Sequence, residues 1–193
     1  MSTPSLSELL RGLSRIAPGT PRNVLTIEGF HRAGVLVPLV LGSGETELHF
    51  TRRTEEVETH KGQISFPGGM ADTGDGDIVR TALREAEEEL GIAPSLVEVQ
   101  GLLDDLAVPS GFIITPVVGI LRSLPRLTPN PKEVAEAFTV PLGFFCKSEN
   151  GRSELREYRG VMREVWFYQH GGHNIWGATA MIVRQLLLKL ELT

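Results

Sequence analysis

Three glutamates near the middle of the chain have the spacing of a metal site. Glu85, Glu88 and Glu89 stand at i, i+3 and i+4 and share one side of a helix predicted over 78–90, whereas Glu87 points in another direction. Like charges at these spacings repel, and anions near the end of a helix oppose its dipole. A divalent cation such as Mg²⁺, which binds carboxylate and phosphate oxygens, would turn both costs into attraction. The alternative interpretation is a solvated acidic helix face.

The helix that carries these acids has clear boundaries in the sequence. Its apolar stripe at helical spacing consists of Val79, Ala82, Leu83, Ala86 and Leu90. Asp77 is the predicted N-cap, and Gly91 is the predicted left-handed residue just past the last turn. One side of the helix is therefore expected to pack on the protein, with the acids along its border.

Composition and charge exclude several classes of protein. The chain has 193 residues, 41% apolar and 22% charged, which is typical of a globular protein, and we expect a single domain over 1–193. The formal charge of −5 (19 basic minus 24 acidic residues) argues against a nucleic-acid partner. No apolar run approaches the roughly 18 residues of a membrane span, so no membrane partner is expected.

Targeting and cysteine usage favour the cytoplasm. The N-terminal residues lack a basic region followed by an apolar core, so no signal peptide is expected. Cys146 is the only cysteine, which rules out an internal disulfide and suits a reducing compartment. Its apolar neighbours indicate a small buried residue rather than a nucleophile.

The remaining pattern predicts several strands, a helix, more strands and a second helix, which indicates a mixed sheet with helices on its faces, an α/β (α+β) fold. Strands are predicted over 33–41, 46–53, 63–66, 95–107 and 113–121, a hairpin over 158–168, and helices over 5–16 and 175–190. Pro38 indicates an edge position or a bulge in the first strand. The helix over 5–16 is expected to serve packing or a homodimer contact. Trp176 is interpreted as a core residue of the last helix, and His170 and His173 as loop residues.

A family resemblance rests on residues around the acidic helix. The pairs Gly68-Gly69, Arg84-Glu85, Glu88-Glu89 and Gly91-Ile92 resemble the Nudix box, whose ending Arg-Glu-apolar-x-Glu-Glu-x-Gly-apolar matches at every fixed position. The front half departs from the pattern, because Asp75 stands where the box has Glu and eight residues rather than seven separate it from Arg84. The resemblance implies a Nudix-type α/β/α sandwich.

A second motif is similar to that of the coenzyme A pyrophosphatase branch of Nudix hydrolases. It comprises 51–54 and 60–69, and the longer box loop contains Asp72 and Asp75 as in that branch. Glu58 stands where the branch motif has Arg. Weaker similarity continues through 109–111, 133–134 and 175–180, so that the resemblance covers roughly 36–182.

The resemblance implies hydrolysis of the pyrophosphate of coenzyme A and its thioesters, with Mg²⁺ or Mn²⁺, to 3′,5′-ADP and (acyl-)4′-phosphopantetheine. Glu85 and Glu89 would hold the metal, Glu88 would bind a further metal or orient water, and Arg84 would orient Glu88. The Gly69 carbonyl would complete the metal shell. Expected substrate contacts are Arg52, Arg53, His60, Lys61 and the backbone of Gly68. Asp104, Asp105 and Glu133 are the candidate general bases.

Three other readings of the sequence stay open. The first keeps the fold and changes the substrate to ADP-ribose, a dinucleotide or a nucleoside triphosphate. The second is a Nudix domain that binds a nucleotide without catalysis, against which the repelling glutamates argue, because a binding module does not need them. The third is a purely structural acidic helix.

Overall fold

The structure contains the main predicted helices and strands in order, divides the strand predicted over 95–107 into two, and adds the unpredicted elements Gly68–Met70, Val134–Pro141 and Leu142–Phe145. A computed structural model describes residues 4–42, 44–56, 60–158 and 160–192. The helices are α1 (Leu6–Leu13), α2 (Ile78–Leu90), α3 (Leu142–Phe145) and α4 (Ala178–Leu190), with short 3₁₀ turns at Ser14–Ile16, Pro94–Leu96 and Ser148–Asn150. The strands are β1 (His31–Leu41), β2 (Thr46–Arg53), β3 (Ile64–Ser65), β4 (Gly68–Met70), β5 (Glu98–Leu102), β6 (Leu106–Val108), β7 (Phe112–Leu121), β8 (Val134–Pro141), β9 (Gly151–Tyr158), β10 (Val161–His170) and β11 (His173–Trp176).

Strand β1 is the centre of a mixed sheet. It pairs in parallel with β7 along nearly its whole length. Its other side pairs antiparallel with β4 near the start and with β2 near the end. Strands β3 and β8 extend the sheet from β2, and β5 and β6 extend it from β7. This arrangement confirms the predicted fold class.

The expectation that Pro38 marks a sheet edge or a bulge is wrong. Its strand is central, but Pro38 falls between the segment paired with β4, which ends at Val35, and the segment paired with β2, which begins at Leu39. The Leu36 N–H donates to the Pro67 carbonyl on this same side. Alternate residues direct their N–H groups to the same side of a strand, so the missing N–H of Pro38 faces the gap between two partners and breaks no ladder bond.

Two layers of apolar side chains cover the sheet. Helix α2 packs on one face, where a small cluster consists of Leu36, Ala82, Ala86 and Val117. The other face carries the main core, in which Leu48 and Phe50 of β2 meet α1, α4 and the separate sheet β9–β10–β11. Helix α2 therefore packs on this face mainly against β1 and β4.

The C-terminal part of the chain corrects three predictions. Helix α4 begins at Ala178, and Ile175 and Trp176 belong to β11, which pairs with β10 through Trp176 and Phe167. Gly177, with φ of 65°, separates strand from helix. His173 lies in β11 and His170 in β10, so neither is a loop residue. Apolar spacing alone does not reveal where a short strand gives way to a helix, because such runs fit either period.

The predicted hairpin over 158–168 begins earlier than expected, since its strands are β9 and β10. The helix over 5–16 is α1 followed by a 3₁₀ turn. Leu9 and Leu13 are buried against α4, whereas Leu6 and Leu10 are exposed. Cys146 is buried as expected, and burial raises the pKa of its thiol to about 11. None of the helices in the described ranges is long and apolar enough to cross a membrane.

Candidate active site

Helix α2 has the predicted ends. The Asp77 carboxylate accepts a hydrogen bond from the Arg80 N–H at 2.9 Å, and Gly91 adopts φ of 72°. The Gly91 N–H donates to the Glu87 carbonyl at 2.8 Å. These caps fix which residues occupy the last two turns, and therefore which side the glutamates face.

The three glutamates differ sharply in exposure. Glu89 exposes 4% of its side chain, Glu85 16% and Glu88 56%. Burial raises the pKa of Glu89 to about 8, with the Arg53 guanidinium and the Gly68 N–H partly opposing this shift. Burial also raises the pKa of Glu85, against the opposing effect of the Arg84 hydrogen bond. The two carboxyls that face the protein are thus unstable as free anions.

Glu89 has fewer partners than a buried carboxylate normally has. Its Oε2 atom is buried without a hydrogen bond, and its Oε1 atom lies 3.8 Å from Nη1 of Arg53. Arg53 Nε is likewise buried without a partner. Buried polar atoms in native proteins are nearly always satisfied, so an orphaned carboxylate oxygen indicates a ligand at this point.

Gly68 and Gly69 bring the backbone up to the carboxylates. A Cβ at position 69 would lie 2.6 Å from Cδ of Glu85, inside its carboxylate. A Cβ at position 68 would lie 2.5 Å from the Gly34 carbonyl of the neighbouring strand. A Cβ at position 68 would collide with backbone atoms, and one at position 69 would displace the Glu85 carboxylate, so Gly69 leaves the space in front of Glu85 clear.

Arg84 joins Asp75 to two of the glutamates. Its Nε and Nη2 atoms donate to the two oxygens of Asp75 at 2.7 and 3.1 Å. Its Nη1 atom donates to Glu85 at 2.7 Å and to Glu88 at 2.9 Å, so the predicted i, i+4 pair is present. These bonds hold the pKa of Asp75 well below its usual range.

The structure also assigns a place to Asp75, whose role the sequence left undecided. The side chain is buried and accepts a third bond from the Thr81 hydroxyl at 2.8 Å. It therefore positions Arg84 and faces the guanidinium rather than the glutamates. The loop between Gly69 and α2 is one residue longer than in the usual Nudix box. Because of this insertion, sequence spacing alone could not show where the Asp75 side chain lies.

Of the three candidate bases, Glu133 is the one brought to the glutamates. Its charge contributes to the raised pKa of both Glu85 and Glu89, so it lies within electrostatic range of the two carboxyls. The Asn130 amide donates to Glu133 Oε1 at 3.0 Å, and the Asn130 N–H donates to the Glu89 carbonyl at 2.9 Å. The turn before β8 is thereby tied to the end of α2.

Asp104 and Asp105 bind other residues, and the structure does not bring them to the glutamates. Asp105 is buried and binds Arg22 at 2.6 Å and Arg32 at 2.9 Å. Asp104 accepts the Asn23 N–H at 2.8 Å and lies 3.4 Å from the Lys189 amine. Both acids hold the segment before β1 onto the sheet. Burial alone would raise the pKa of Asp105, but its hydrogen bonds lower it, which makes it a poor proton acceptor.

The predicted cationic group is divided between two faces. Arg53 faces Glu89, whereas Arg52 pairs with Glu136 at 2.9 Å and lines a cavity together with Lys61. Successive residues of a strand point to opposite faces, and this alternation separates the two arginines. His60 is exposed and bonds Gln63 at 2.9 Å through Nδ1. The interpretation of Glu58 lies outside the described residues.

The described part of the chain contains no three His, Cys, Asp or Glu side chains already gathered as a metal-ligand set. Glu85 and Glu88 are instead paired with the Arg84 guanidinium. The residues nevertheless fit a hard divalent ion, because Glu89 Oε2 is buried and unpartnered and Gly69 keeps the space at Glu85 free. Glu85, Glu89, Glu88 and the Gly69 carbonyl would be the oxygen donors to such an ion.

Sequence relatives agree with the geometry. A NUDIX domain model matches residues 30–158. An uncharacterized Nudix hydrolase NudL of Photorhabdus laumondii is 37% identical over 187 residues, which cover 97% of this chain and 98% of that protein. Nudix hydrolase 15, mitochondrial, of Arabidopsis thaliana is 40% identical over 159 residues, covering 79% of this chain and 56% of that protein.

Solved structures show the same fold. A MutT/nudix family protein from Enterococcus faecalis matches with a TM-score of 0.58 and 13% identity over 97% of this chain and 70% of that one. DR0079 from Deinococcus radiodurans matches with a TM-score of 0.55 and 14% identity over 84% of this chain and 89% of that one. The solved structures establish the fold, and the family model and the sequence relatives also establish the family. The chain belongs to the Nudix hydrolase family.

Proposed function

We propose that this Nudix hydrolase cleaves the pyrophosphate of coenzyme A and its thioesters, with Mg²⁺ or Mn²⁺, to 3′,5′-ADP and (acyl-)4′-phosphopantetheine. One observation carries the catalytic part of the proposal. A buried Glu89 with an unpartnered oxygen stands beside Glu85, and Gly69 lies so close to Glu85 that a Cβ there would displace its carboxylate. Such an arrangement is costly without a cation and favourable with one.

Glu85 and Glu89 would hold the metal, with the Gly69 carbonyl as a further oxygen donor and the exposed Glu88 available for a second ion or for water. A divalent ion bound there supplies neutralisation of the non-bridging phosphate oxygens and a lowered pKa for water. Arg53 lies 3.8 Å from Glu89 and would contact a pyrophosphate bound at these carboxylates.

Protein groups supply the rest of the chemistry. The Asp75–Arg84 pair fixes the orientation of Glu85 and Glu88 through bonds of 2.7 and 2.9 Å. Glu133, held by the Asn130 amide, accepts the proton of the attacking water. One oxygen of Glu133 is bound by an amide, and the residue lies near the buried glutamates. Glu133 is therefore a better proton acceptor than Asp105, whose two oxygens are occupied by Arg22, Arg32 and Thr115.

Support for coenzyme A comes from the segment before the box. The motif over 51–69 supplies Arg53 at the carboxylates and Arg52 and Lys61 at the neighbouring cavity. Coenzyme A carries a 3′-phosphate in addition to its pyrophosphate, and thus has two separated anionic groups. The cations at the end of β2 are likewise separated, with Arg53 on one face and Arg52 and Lys61 on the other. The alternatives are another nucleoside diphosphate derivative and a nucleotide-binding domain without activity.

A substrate panel tests the proposal. Coenzyme A, dephospho-coenzyme A, ADP-ribose and a nucleoside triphosphate are incubated with the protein, with and without Mg²⁺ or Mn²⁺, and the products are identified by mass spectrometry. We expect 3′,5′-ADP and 4′-phosphopantetheine from coenzyme A only when metal is present, and the highest kcat/KM for that substrate. Equal turnover of ADP-ribose would refute the coenzyme A assignment, and no turnover of any substrate would favour the binding domain.

A further inference from the structure

A cavity of about 610 Å³ lies at the end of β2, on the face away from the carboxylates. Its walls include Arg52, Lys61, Glu136, His173, Asn174 and Trp176. Its volume is within the range of small-molecule sites. Arg52 points into it while the adjacent Arg53 points to Glu89, so the two cations flank the same strand end on opposite faces.

One wall of this cavity is fixed by a set of mutual contacts. Glu136 accepts the Arg52 Nε at 2.9 Å with one oxygen and lies 3.2 Å from the His173 Nε2 with the other. The His173 ring stacks on Phe138 at 3.8 Å between centroids, with the planes 7° apart. The guanidinium is therefore held through Nε, which leaves its terminal amino groups available to hydrogen-bond a ligand.

Trp176 supplies a flat apolar surface at the same cavity. Its ring stacks on Phe167 at 6.3 Å between centroids, with the planes 9° apart, yet 37% of the residue stays exposed. An indole that is held from behind and open towards a cavity is suited to stacking against a nucleobase. The core role expected for Trp176 from its sequence does not account for this exposure.

The polar groups of the cavity fit a phosphorylated nucleoside better than an anion alone. Glu136 and Arg52 neutralise one another, and Lys61 adds a positive charge that suits a phosphate. The amides of Gln63 and Asn174 line the same space and can both donate to and accept from the edge of a base. A phosphate needs only the cations, whereas a nucleotide uses the cations, the amides and the indole together.

We propose that this cavity binds the 3′-phosphoadenosine part of the substrate, with the adenine against Trp176 and the 3′-phosphate at Arg52 and Lys61. This inference rests on the proposed function for its physiological ligand. The part of the substrate that does not react would thereby be held on one face of β2, while the pyrophosphate lies at the carboxylates on the other face. Binding energy at a remote group lowers KM and improves positioning of the reacting bond.

The test measures binding without catalysis. The product 3′,5′-ADP is titrated into the protein in EDTA and followed by calorimetry, and by fluorescence in the Trp166→Phe variant, in which Trp176 is the sole tryptophan. We expect quenching of Trp176, a loss of affinity of about tenfold in Trp176→Ala, and affinity within about threefold of the parent in Trp176→Phe, since one stacked base contributes such factors.

The phosphate contact has its own matched pair of variants. Lys61→Gln should weaken 3′,5′-ADP binding several-fold and leave adenosine binding unchanged. Arg122→Gln, which removes a cation that is 88% exposed and paired with Glu98, should change neither. Circular dichroism and thermal melting of each variant establish that it is folded.

The outcomes separate this inference from the proposed function. Unchanged affinity in Trp176→Ala, or inorganic phosphate competing as strongly as 3′,5′-ADP, would overturn the nucleotide pocket even where coenzyme A is hydrolysed. Binding of 3′,5′-ADP that depends on Trp176, in a protein that does not hydrolyse coenzyme A, would support the pocket and refute only the reaction. With both correct, Trp176→Ala raises KM for coenzyme A more than it lowers kcat.

Discussion

Gly69 lies directly against the carboxylate of Glu85, so closely that a Cβ at position 69 would stand 2.6 Å from the carboxylate carbon. The relationship joins a β-strand to a helix that begins nine residues later, and it explains why a glycine is needed there. The backbone and the carboxylate share a space that is open to a cation and closed to a methyl group.

Replacing Gly69 by Ala should therefore displace Glu85 rather than unfold the protein, because the opposing atoms are the end of a flexible side chain. We expect Mn²⁺ affinity to fall about tenfold, as for loss of a metal-site neighbour, with a change in stability below about 1 kcal/mol. Calorimetric titration with Mn²⁺ and thermal melting measure the two effects. Gly74→Ala is the matched control, since a Cβ at position 74 meets nothing within 4 Å. Normal Mn²⁺ binding in Gly69→Ala would contradict the proposed metal site.

Glu89→Gln should lower the rate of metal-dependent hydrolysis about 10²-fold or more, because it removes a negatively charged metal ligand. Without metal the same change should stabilise the fold at pH 8. The folded pKa of Glu89, about 8, is above the unfolded value of 4.5, so the native state binds the extra proton and loses stability as pH rises between these values. Glutamine does not titrate and escapes this loss.

The stability difference for Glu89→Gln is expected to exceed about 1 kcal/mol, since one unit of pKa shift corresponds to ~1.4 kcal/mol. Urea unfolding in EDTA at pH 5 and pH 8 measures it. Glu87→Gln is the control, because Glu87 lies exposed on the same helix. Full activity in Glu89→Gln would show that the metal is bound elsewhere.

Asp75→Asn should reduce activity about tenfold by releasing Arg84, which otherwise orients Glu85 and Glu88. Loss of two charge-assisted bonds in a buried position should also cost about 1–3 kcal/mol of stability. Steady-state kinetics and urea unfolding measure the two effects. Asp72→Asn changes an exposed acid of the same loop and should leave kcat within about twofold of the parent. Equal kinetics for the two variants would remove Asp75 from the positioning of Arg84.

Glu133→Gln separates the candidate bases. A lost proton acceptor should lower kcat about 10²- to 10⁴-fold and flatten the acidic limb of the pH–rate profile, while Mn²⁺ affinity changes little. Asp104→Asn, which alters an acid bound to Asn23 and Lys189, should leave kcat unchanged. A large loss in Asp104→Asn together with a normal Glu133→Gln would reverse the assignment.

His49 predicts a pH effect on stability that is unrelated to catalysis. The ring is fully buried, neither nitrogen has a partner, and burial lowers its pKa to about 4. The unfolded chain, with pKa 6.5, therefore binds a proton that the native state does not, and stability falls as pH falls from 6.5 towards 4. By this linkage the contribution is about 2 kcal/mol between pH 7.5 and pH 5.

The comparison of parent and His49→Leu by urea unfolding at the two pH values isolates this effect, because other titrating groups are common to both proteins. Leucine fills a similar volume without a titrating group, so the variant should lose about 2 kcal/mol less stability on acidification. An identical pH dependence in the two proteins would mean that His49 gains a partner or water in solution.

The sequence by itself determined the acidic helix almost completely. Asp77, the apolar stripe and Gly91 act on residues within four positions of themselves, and local rules therefore predicted the boundaries at Ile78 and Leu90. The Arg84–Glu88 pair could be predicted for the same reason, since the two residues are four positions apart on one helix. The sequence also offered Glu133 as one of three acids that could act as general base, without choosing among them.

Tertiary structure decided what depends on segments far apart in the chain. It placed Pro38 in the gap between two partner strands, assigned Trp176 to a strand, and turned Arg52 and Arg53 to opposite faces. It also paired Asp105 with Arg22 and Arg32, away from the glutamates. Local sequence fixes dihedral preferences and side-chain spacing, whereas burial, charge pairing and the sharing of a cavity arise only when distant strands and turns meet.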